Sequence, residues 1–318
     1  MTDGSATALQ LARAAVDRDA VRRADPALFD ALLGDDGTRV LPVWQGKALA
    51  VPDRAALALQ PAHQVTAALV RVYLGRTLEA SSLEPAGTPV IASVLTDAAA
   101  AELEPDPERW VGLRAASTLM SARDAALFTQ ALAITNWHAS HGYCPRCGSP
   151  TVVEQGGWVR RCFTDDTEIF PRTDPAVIVR VLDPDSRLLL GSNALWEHNR
   201  WSLLAGFVEA GETFEDAVER EVFEESGVRV TAARYLGSQP WPFPASIMIG
   251  MEARVAPGYD PEAVTPDGQE ILALRWFSRD ELWQEHEDIL LPGGSSIAHA
   301  ILRDWYGGPL DRPPAERR

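Results

Sequence analysis

The chain holds 318 residues, of which 46% are hydrophobic and 23% charged, enough for two medium domains with real cores. Its formal net charge of -16 argues against a protein that grips nucleic acid by general attraction, although bound divalent cations and placed arginines can reverse the potential inside a cleft. No apolar run approaches the ~18 residues of a membrane span, and MTDGSATALQLARAAVDRD carries early acids without a continuous apolar stretch, so a cytoplasmic protein is expected.

From residue 1 to about 137, short apolar runs alternate with turn signals, as in RVLPVWQGKALAVPD, LVRVYLGRTLEAS and GTPVIASVLTD, which predict strands and hairpins of a mixed α/β domain. Leu127, Ala131, Ile134 and His138 then fall at helical spacing, and the helix ends by Gly142. Cys144, Cys147 and Cys162 follow, an odd and sparse set that does not suggest a disulfide scaffold. Their segment of roughly thirty residues is too short for a core of its own without a staple. The expected divisions are 1–140, 141–170 and 171–318.

After FPRTDP, AVIVRVLD and RLLLGS predict strands, and WSLLAGFVEAGE a strand entering a loop. TFEDAVEREVFEESG predicts a helix closed by Gly227. SIMIGMEARV and ILALRWF predict further strands, and Ile297, Ile301 and Trp305 mark one apolar face of a last helix. Strands surrounding helices in this order suggest an α/β or α+β sandwich.

The helix is unusually acidic. Residues three and four apart share a helical face, so Glu221, Glu224 and Glu225 are expected in one patch, with Val218 and Val222 toward the core. A solvated acidic face paired to Arg220 is the plainer explanation, but it leaves Gly206, Glu212, the Arg220-Glu221 pair and Gly227 without a joint account. Clustered carboxylates gain a purpose when they hold Mg²⁺ or Mn²⁺, whose retained water can become a nucleophile toward a phosphate-bearing substrate.

Gly206 to Val228 matches G-x5-E-x7-R-E-U-x-E-E-x-G-U, with U a bulky aliphatic residue, at every defined position. The chain thereby resembles the Nudix hydrolases, which implies a pyrophosphohydrolase with an α/β/α sandwich at its C-terminus, α+β in class overall. Downstream, SQPWPFPAS (Ser238, Gln239, Pro240, Trp241, Pro242, Phe243, Pro244, Ala245, Ser246) has restricted backbone and two flat aromatic faces. Alone it reads equally as a loop packed on the core or as a wall against which a base or nicotinamide ring stacks. It is similar to the SQPWPFPQS signature of the NAD(H) diphosphatase branch, with Ala245 in place of Gln. FPRTDPAVI and RWFSRDEL extend that resemblance over most of the chain.

The resemblance implies metal ligands at Glu221, Glu225, Glu270 and the Ala205 carbonyl, with Glu224 included in the acidic set and Glu224 or Glu225 as general base. Ala273 stands where the branch commonly has a second Glu. Implied substrate contacts are Phe207 and Ser238 to Ser246, with Phe170, Ala298 and Arg114. CPRCG has the form of a zinc knuckle. Similar proteins supply a second C-x-x-C, which here is CFTD, so Cys144, Cys147, Cys162 and Asp165 form the expected structural zinc set, against a relic knuckle held by packing. His138 and His141 are alternative ligands, or helix-end residues without one. The expected reaction is divalent-metal-dependent hydrolysis of NAD(H) to nicotinamide mononucleotide and AMP by a homodimer. Removal of an NAD cap from RNA, hydrolysis of ADP-ribose or other dinucleotides, and nucleotide sensing without cleavage are the alternatives.

Overall fold

The apolar runs of the first half become a mixed sheet. A computed structural model describes residues 9, 11, 12 and 14–314, which divide into two units: residues up to Thr173 with Trp241–Ala245, and Asp174–Pro240 with Ser246 onward and Leu9. In the first unit, β1 (Val16–Asp17), β2 (Arg39–Trp44), β3 (Lys47–Leu49), β4 (Gln60–Pro61), β5 (Val70–Thr77), β6 (Pro89–Val94) and β7 (Trp110–Gly112) run β1-β5-β6-β2-β3-β7, with β4 beside β2. Gln45 and Gly46, both at positive φ, close the β2–β3 hairpin in the manner of a tight two-residue turn.

Helices α1 (Leu28–Leu33), α2 (Asp97–Leu103), α3 (Leu113–Ala116) and α4 (Ala122–Ser140) complete this part of the unit. The Ser121 hydroxyl caps α4 by accepting from the Asp124 amide. Leu127, Ala131, Ile134 and His138 are buried as their spacing predicts, but so are Arg123 and Asp124. Burying those charges requires partners: Arg123 binds Glu84 at 3.1 Å and Asp124 at 2.9 Å, and Asp124 accepts from the Leu57 amide.

The cysteine segment forms a three-stranded antiparallel sheet of β8 (Val152–Glu154), β9 (Val159–Arg161) and β10 (Glu168–Ile169). Cys144, Cys162 and Ile169 belong to the same apolar cluster as Leu127, Phe128 and Trp137 of α4. A segment too short to build a core thus borrows one from the elements before it.

In the second unit, β11 (Asp174–Leu182), β12 (Leu188–Asn193), β13 (Leu204–Phe207), β14 (Val230–Trp241), β15 (Ser246–Val255) and β16 (Ile271–Phe277) form a sheet in the order β14-β15-β11-β12-β16, with β13 beside β11. Only Pro240 and earlier residues of β14 belong to this unit. Helix α5 (Phe214–Ser226) covers one face, and α6 (Arg279–Gln284) and α7 (Ile297–Tyr306) cover the other. The continuous apolar run of β11 follows from this, because a strand between two layers of helices has no solvent face. Val177, Val179 and Val181 meet Val218 and Val222 of α5, while Ile178 and Leu182 share a cluster with Ile297, Ile301 and Trp305 of α7. Arg180, the polar exception, is paired with Glu252 on the parallel neighbour β15 and with Asp304. The result is an α/β/α sandwich.

Candidate active site

Helix α5 begins at Thr213, whose hydroxyl accepts from the Asp216 amide, and ends at Gly227, where φ is +70 and the amide bonds back to the Phe223 carbonyl. Between these caps, Val218 and Val222 anchor one face to the sheet, which turns Glu221 and Glu225 toward the end of β13. Gly206 on β13 is required by this approach: a Cβ built there would lie 1.9 Å from the Glu221 carboxyl carbon.

The three helix glutamates, expected in one patch, stand in different surroundings. Glu225 is only 4% exposed, and its Oε2 has no hydrogen-bond partner among the described residues. Burial, then the charges of Glu270, Glu221 and Asp267, push its carboxyl up to about 8, opposed by a hydrogen bond from the Ala205 amide. Glu221 is also raised, by burial first and then by Glu224 and Glu270, against the pull of Arg220. Glu224 lies outward, with 58% of its side chain exposed and Arg220 Nη1 at 3.1 Å.

Arg220 organises the loop before the helix. Its Nε and Nη2 bind the two oxygens of Glu212 at 2.7 and 2.9 Å, Nη2 also donates to the Phe207 carbonyl, and Nη1 donates to Glu221 and Glu224. Glu212 further accepts from the Glu209 amide, and its carboxyl is held down at about 2, chiefly by Arg220. One planar guanidinium therefore fixes the loop to the helix through charge-assisted bonds. Glu270 precedes β16, where its Oε1 accepts from Asn193 Nδ2 at 3.3 Å. Asn193, which ends β12, had no signature in the sequence.

These residues fit a hard divalent cation. The donors are all oxygens, and a buried carboxylate oxygen without a partner sits among like charges, an arrangement that a cation relieves.

The second cluster lies in the other unit. Single ligand atoms of Cys144, Cys147, Cys162 and Asp165 all lie within 4.8 Å of one another. Cys144 Sγ is 3.5 Å from Asp165 Oδ2, and Cys147 Sγ is 3.4 Å from Cys162 Sγ. Gly148, at φ +75, donates its amide to the Cys144 carbonyl and tightens the knuckle turn. Hydrogen bonds from Thr167 hold Asp165 well below the ordinary carboxylate range, which leaves it an anion suited to a cation. Three thiols and a carboxylate in this compass fit tetrahedral zinc. His138 and His141 are bonded elsewhere: His138 Nε2 meets the Gly157 carbonyl and Nδ1 meets Arg160, while His141 Nδ1 meets Ser140 and the Trp137 carbonyl.

The expected substrate segment divides between the units. Ser238, Gln239 and Pro240 end the part of β14 in the sandwich, and Ser246 opens β15. Gln239 is fully buried, with Nε2 donating to the Ser295 carbonyl and Oε1 accepting from the Ile297 amide, so its amide group is spent on the start of α7. Ala298 is also buried, within the α7 core cluster, whereas Phe207 is 57% exposed. In the first unit, Trp241 and Phe243 pack edge to face at 5.0 Å, with the Arg114 guanidinium 4.2 Å from the Phe243 ring centre and 5.3 Å from that of Trp241. Asn136 of α4 donates to the carbonyls of Pro242 and Pro244, fixing the turn, and Ala245 closes it. Both rings rest against the cluster that contains Trp137, as the packing alternative expects. Phe170, after β10, is 60% exposed.

The sandwich with carboxylates at the β13–α5 junction has the architecture of a nucleoside-diphosphate hydrolase domain. Residues 172–294 match the NUDIX domain model, 139–170 the NADH pyrophosphatase zinc ribbon domain, and 37–137 the NADH pyrophosphatase-like rudimentary NUDIX domain. The chain belongs to the Nudix hydrolase family and is a pyrophosphohydrolase. It is 38% identical over 290 residues to the NAD-capped RNA hydrolase NudC of Mycobacterium bovis, covering 85% of this chain and 92% of that protein. The protein of the same name from Mycobacterium tuberculosis is 37% identical over 290 residues, with the same coverage. The human NAD-capped RNA hydrolase NUDT12 is 36% identical over 200 residues, 58% of this chain and 42% of that protein.

Proposed function

We propose that the protein hydrolyses the pyrophosphate of NAD(H) to nicotinamide mononucleotide and AMP, with Mg²⁺ or Mn²⁺ held by Glu221, Glu225, Glu270 and the Ala205 carbonyl. The observation that carries the reading is the buried, unpartnered Glu225 oxygen beside Glu221 and Glu270, on a helix whose acids match the Nudix pattern. A divalent ion bound there supplies charge neutralisation at the phosphates and a polarised water. A water oxygen forms the new bond to phosphorus, the bridging P–O bond breaks, and a protein carboxylate takes the water's proton. Glu224 and Glu225 are the two candidates for that acceptor: Glu224 is wet and paired to Arg220, and Glu225 is dry, with its carboxyl pushed up by burial. Arg220 keeps the carboxylates in place and is not assigned to the phosphates.

The same reading includes structural zinc on Cys144, Cys147, Cys162 and Asp165, a homodimer, a cytoplasmic setting, and domain limits of 1–140, 141–170 and 171–318. No helix among the described residues is long and apolar enough to cross a membrane. Turnover of NAD⁺, NADH, ADP-ribose and NAD-capped RNA with Mg²⁺ and with Mn²⁺ tests the substrate, and cleavage of NAD(H) well above ADP-ribose is expected. Cleavage confined to ADP-ribose overturns it. Removal of the NAD cap from RNA is the second reading, supported by the names of the relatives above, and it breaks the same bond. The net charge of -16 disfavours long RNA contacts and leaves room for a frayed single-stranded end.

A further inference from the structure

Glu270, like Glu224, is exposed, but it lies off the helix, in a loop just before a strand. An exposed loop glutamate loses considerable side-chain and backbone freedom on joining a metal site, so something must hold it. The sequence around it is TPDGQEI, and the structure shows what the aspartate in that run does. Asp267 Oδ1 accepts the backbone amides of Gln269 at 2.9 Å, Glu270 at 3.0 Å and Ile271 at 2.9 Å. Gly268, at φ +72, makes the turn that allows this, and its own amide reaches the Ile271 carbonyl. Three amides thus share one side-chain oxygen, which fixes the backbone of the turn.

Two contacts, from the last residue of β12 and the residue after it, complete the hold. The Ala194 amide donates to the Glu270 carbonyl at 2.8 Å, and Asn193 Nδ2 donates to Glu270 Oε1. The β12–β16 register shifts between Ser192, which faces Ala273, and Asn193, which faces Ile271. This irregularity sets Asn193 beside the start of β16, in reach of Glu270. Ala273, within β16, cannot supply a carboxylate, so Glu270 is the acid that the entry to this strand offers.

We propose that Asp267 is a positioning residue for the metal site: its carboxylate gathers the backbone of residues 269 to 271 and so holds Glu270, steadied by Asn193, for the ion assigned to Glu221 and Glu225. The inference rests on the reading of that pair as metal ligands. Asp267 is assigned no contact with substrate or ion.

Mn²⁺ binding to the full-length protein without substrate, followed by electron paramagnetic resonance, separates the possibilities. Asp267→Ala should weaken Mn²⁺ binding by ~10-fold or more, the scale of losing a residue that orients a ligand. Asp267→Asn, which keeps a carbonyl acceptor for the amides while losing the charge, should stay within ~3-fold of the parent. Equal weakening in both variants would mean that Asp267 acts by charge, and unchanged binding in Asp267→Ala that it shapes only the loop; either result overturns the proposal. If the parent itself binds no Mn²⁺ while Glu225→Gln behaves identically, the failure lies in the metal reading and not in the positioning.

Discussion

The two acid and thiol clusters, one in each unit, are built in opposite ways. The knuckle collects four ligand atoms within 4.8 Å on tight turns, and two of its cysteines sit in an apolar core. The helix site spreads its carboxylates over α5 and the loop before β16, ties some to Arg220 and leaves one buried oxygen without a partner. A closed set of soft ligands suits an ion whose work is to hold the fold, and an open set of oxygens suits an ion that keeps room for water and phosphate. Losing a ligand should therefore cost stability in one cluster and turnover in the other.

The largest expected effect is at Glu225. Glu225→Gln should lower kcat by at least ~100-fold while the metal-free protein melts no lower than the parent, because without an ion the buried carboxyl is largely protonated near neutral pH and the neutral amide replaces it at nearly the same size. A near-normal rate would make the two clusters alike in function. Glu212→Gln should cost less, since Glu212 acts through Arg220 and the loop; an equal loss would place it among the ligands.

Cys147→Ser is the mirror experiment. It should release about one zinc per chain and lower the melting temperature by ~5–10 °C, with kcat changed only secondarily. Asp165→Cys should bind zinc at least as tightly, thiolate being the softer ligand. Metal-free protein of unchanged stability would identify the knuckle as a relic.

Acidity provides a finer contrast. With no ion bound, the Glu225 carboxyl sits at about 8, above its ordinary value of 4.5, so its proton must leave when a cation enters. Mg²⁺ affinity should rise with pH up to about 8, with proton release measurable by calorimetry in two buffers. His138 in the other unit behaves in the opposite sense. Burial lowers it from 6.5 to about 4, so the unfolded chain binds more protons between those values. Stability from this group is complete above pH 6.5 and is lost as pH falls toward 4. Melting curves over that window should show the fall, and His138→Gln should flatten it.

The smallest effect is expected at Trp241. Its ring rests on the first unit's core beside Phe243 and under Arg114, so Trp241→Ala should lower the melting temperature. A rise in KM for NAD(H) equivalent to ~1–3 kcal/mol would add a stacking role, and an unchanged KM would leave packing alone.

Local pattern made much of this legible. The close of α5 at Gly227, the strands either side and the acids of the helix all follow from short-range spacing, and the knuckle from C-x-x-C. Non-local contacts decided the rest. That Glu225 would be buried and Glu224 wet depends on which helix face meets β13. Gln239, expected in the substrate segment, has its amide group bonded to residues more than fifty positions away, which short-range spacing does not reveal. Trp241 to Ala245 continue β14 in sequence yet pack with α4, through Asn136. Asp267 did carry a signal, an Asp-Gly turn just before an acid, but only the converging amides give it meaning.

Gly206 has a consequence for how this protein can change over time. The space a methyl group would need is filled by the carboxyl of Glu221. Every single replacement at Gly206 must therefore move that carboxylate, which is the far end of a flexible side chain, and a shorter acid at position 221 is the change that would keep the charge while making the room. Positions 206 and 221 are thus tied to one another: the side chain carried at one sets which side chains the other can carry.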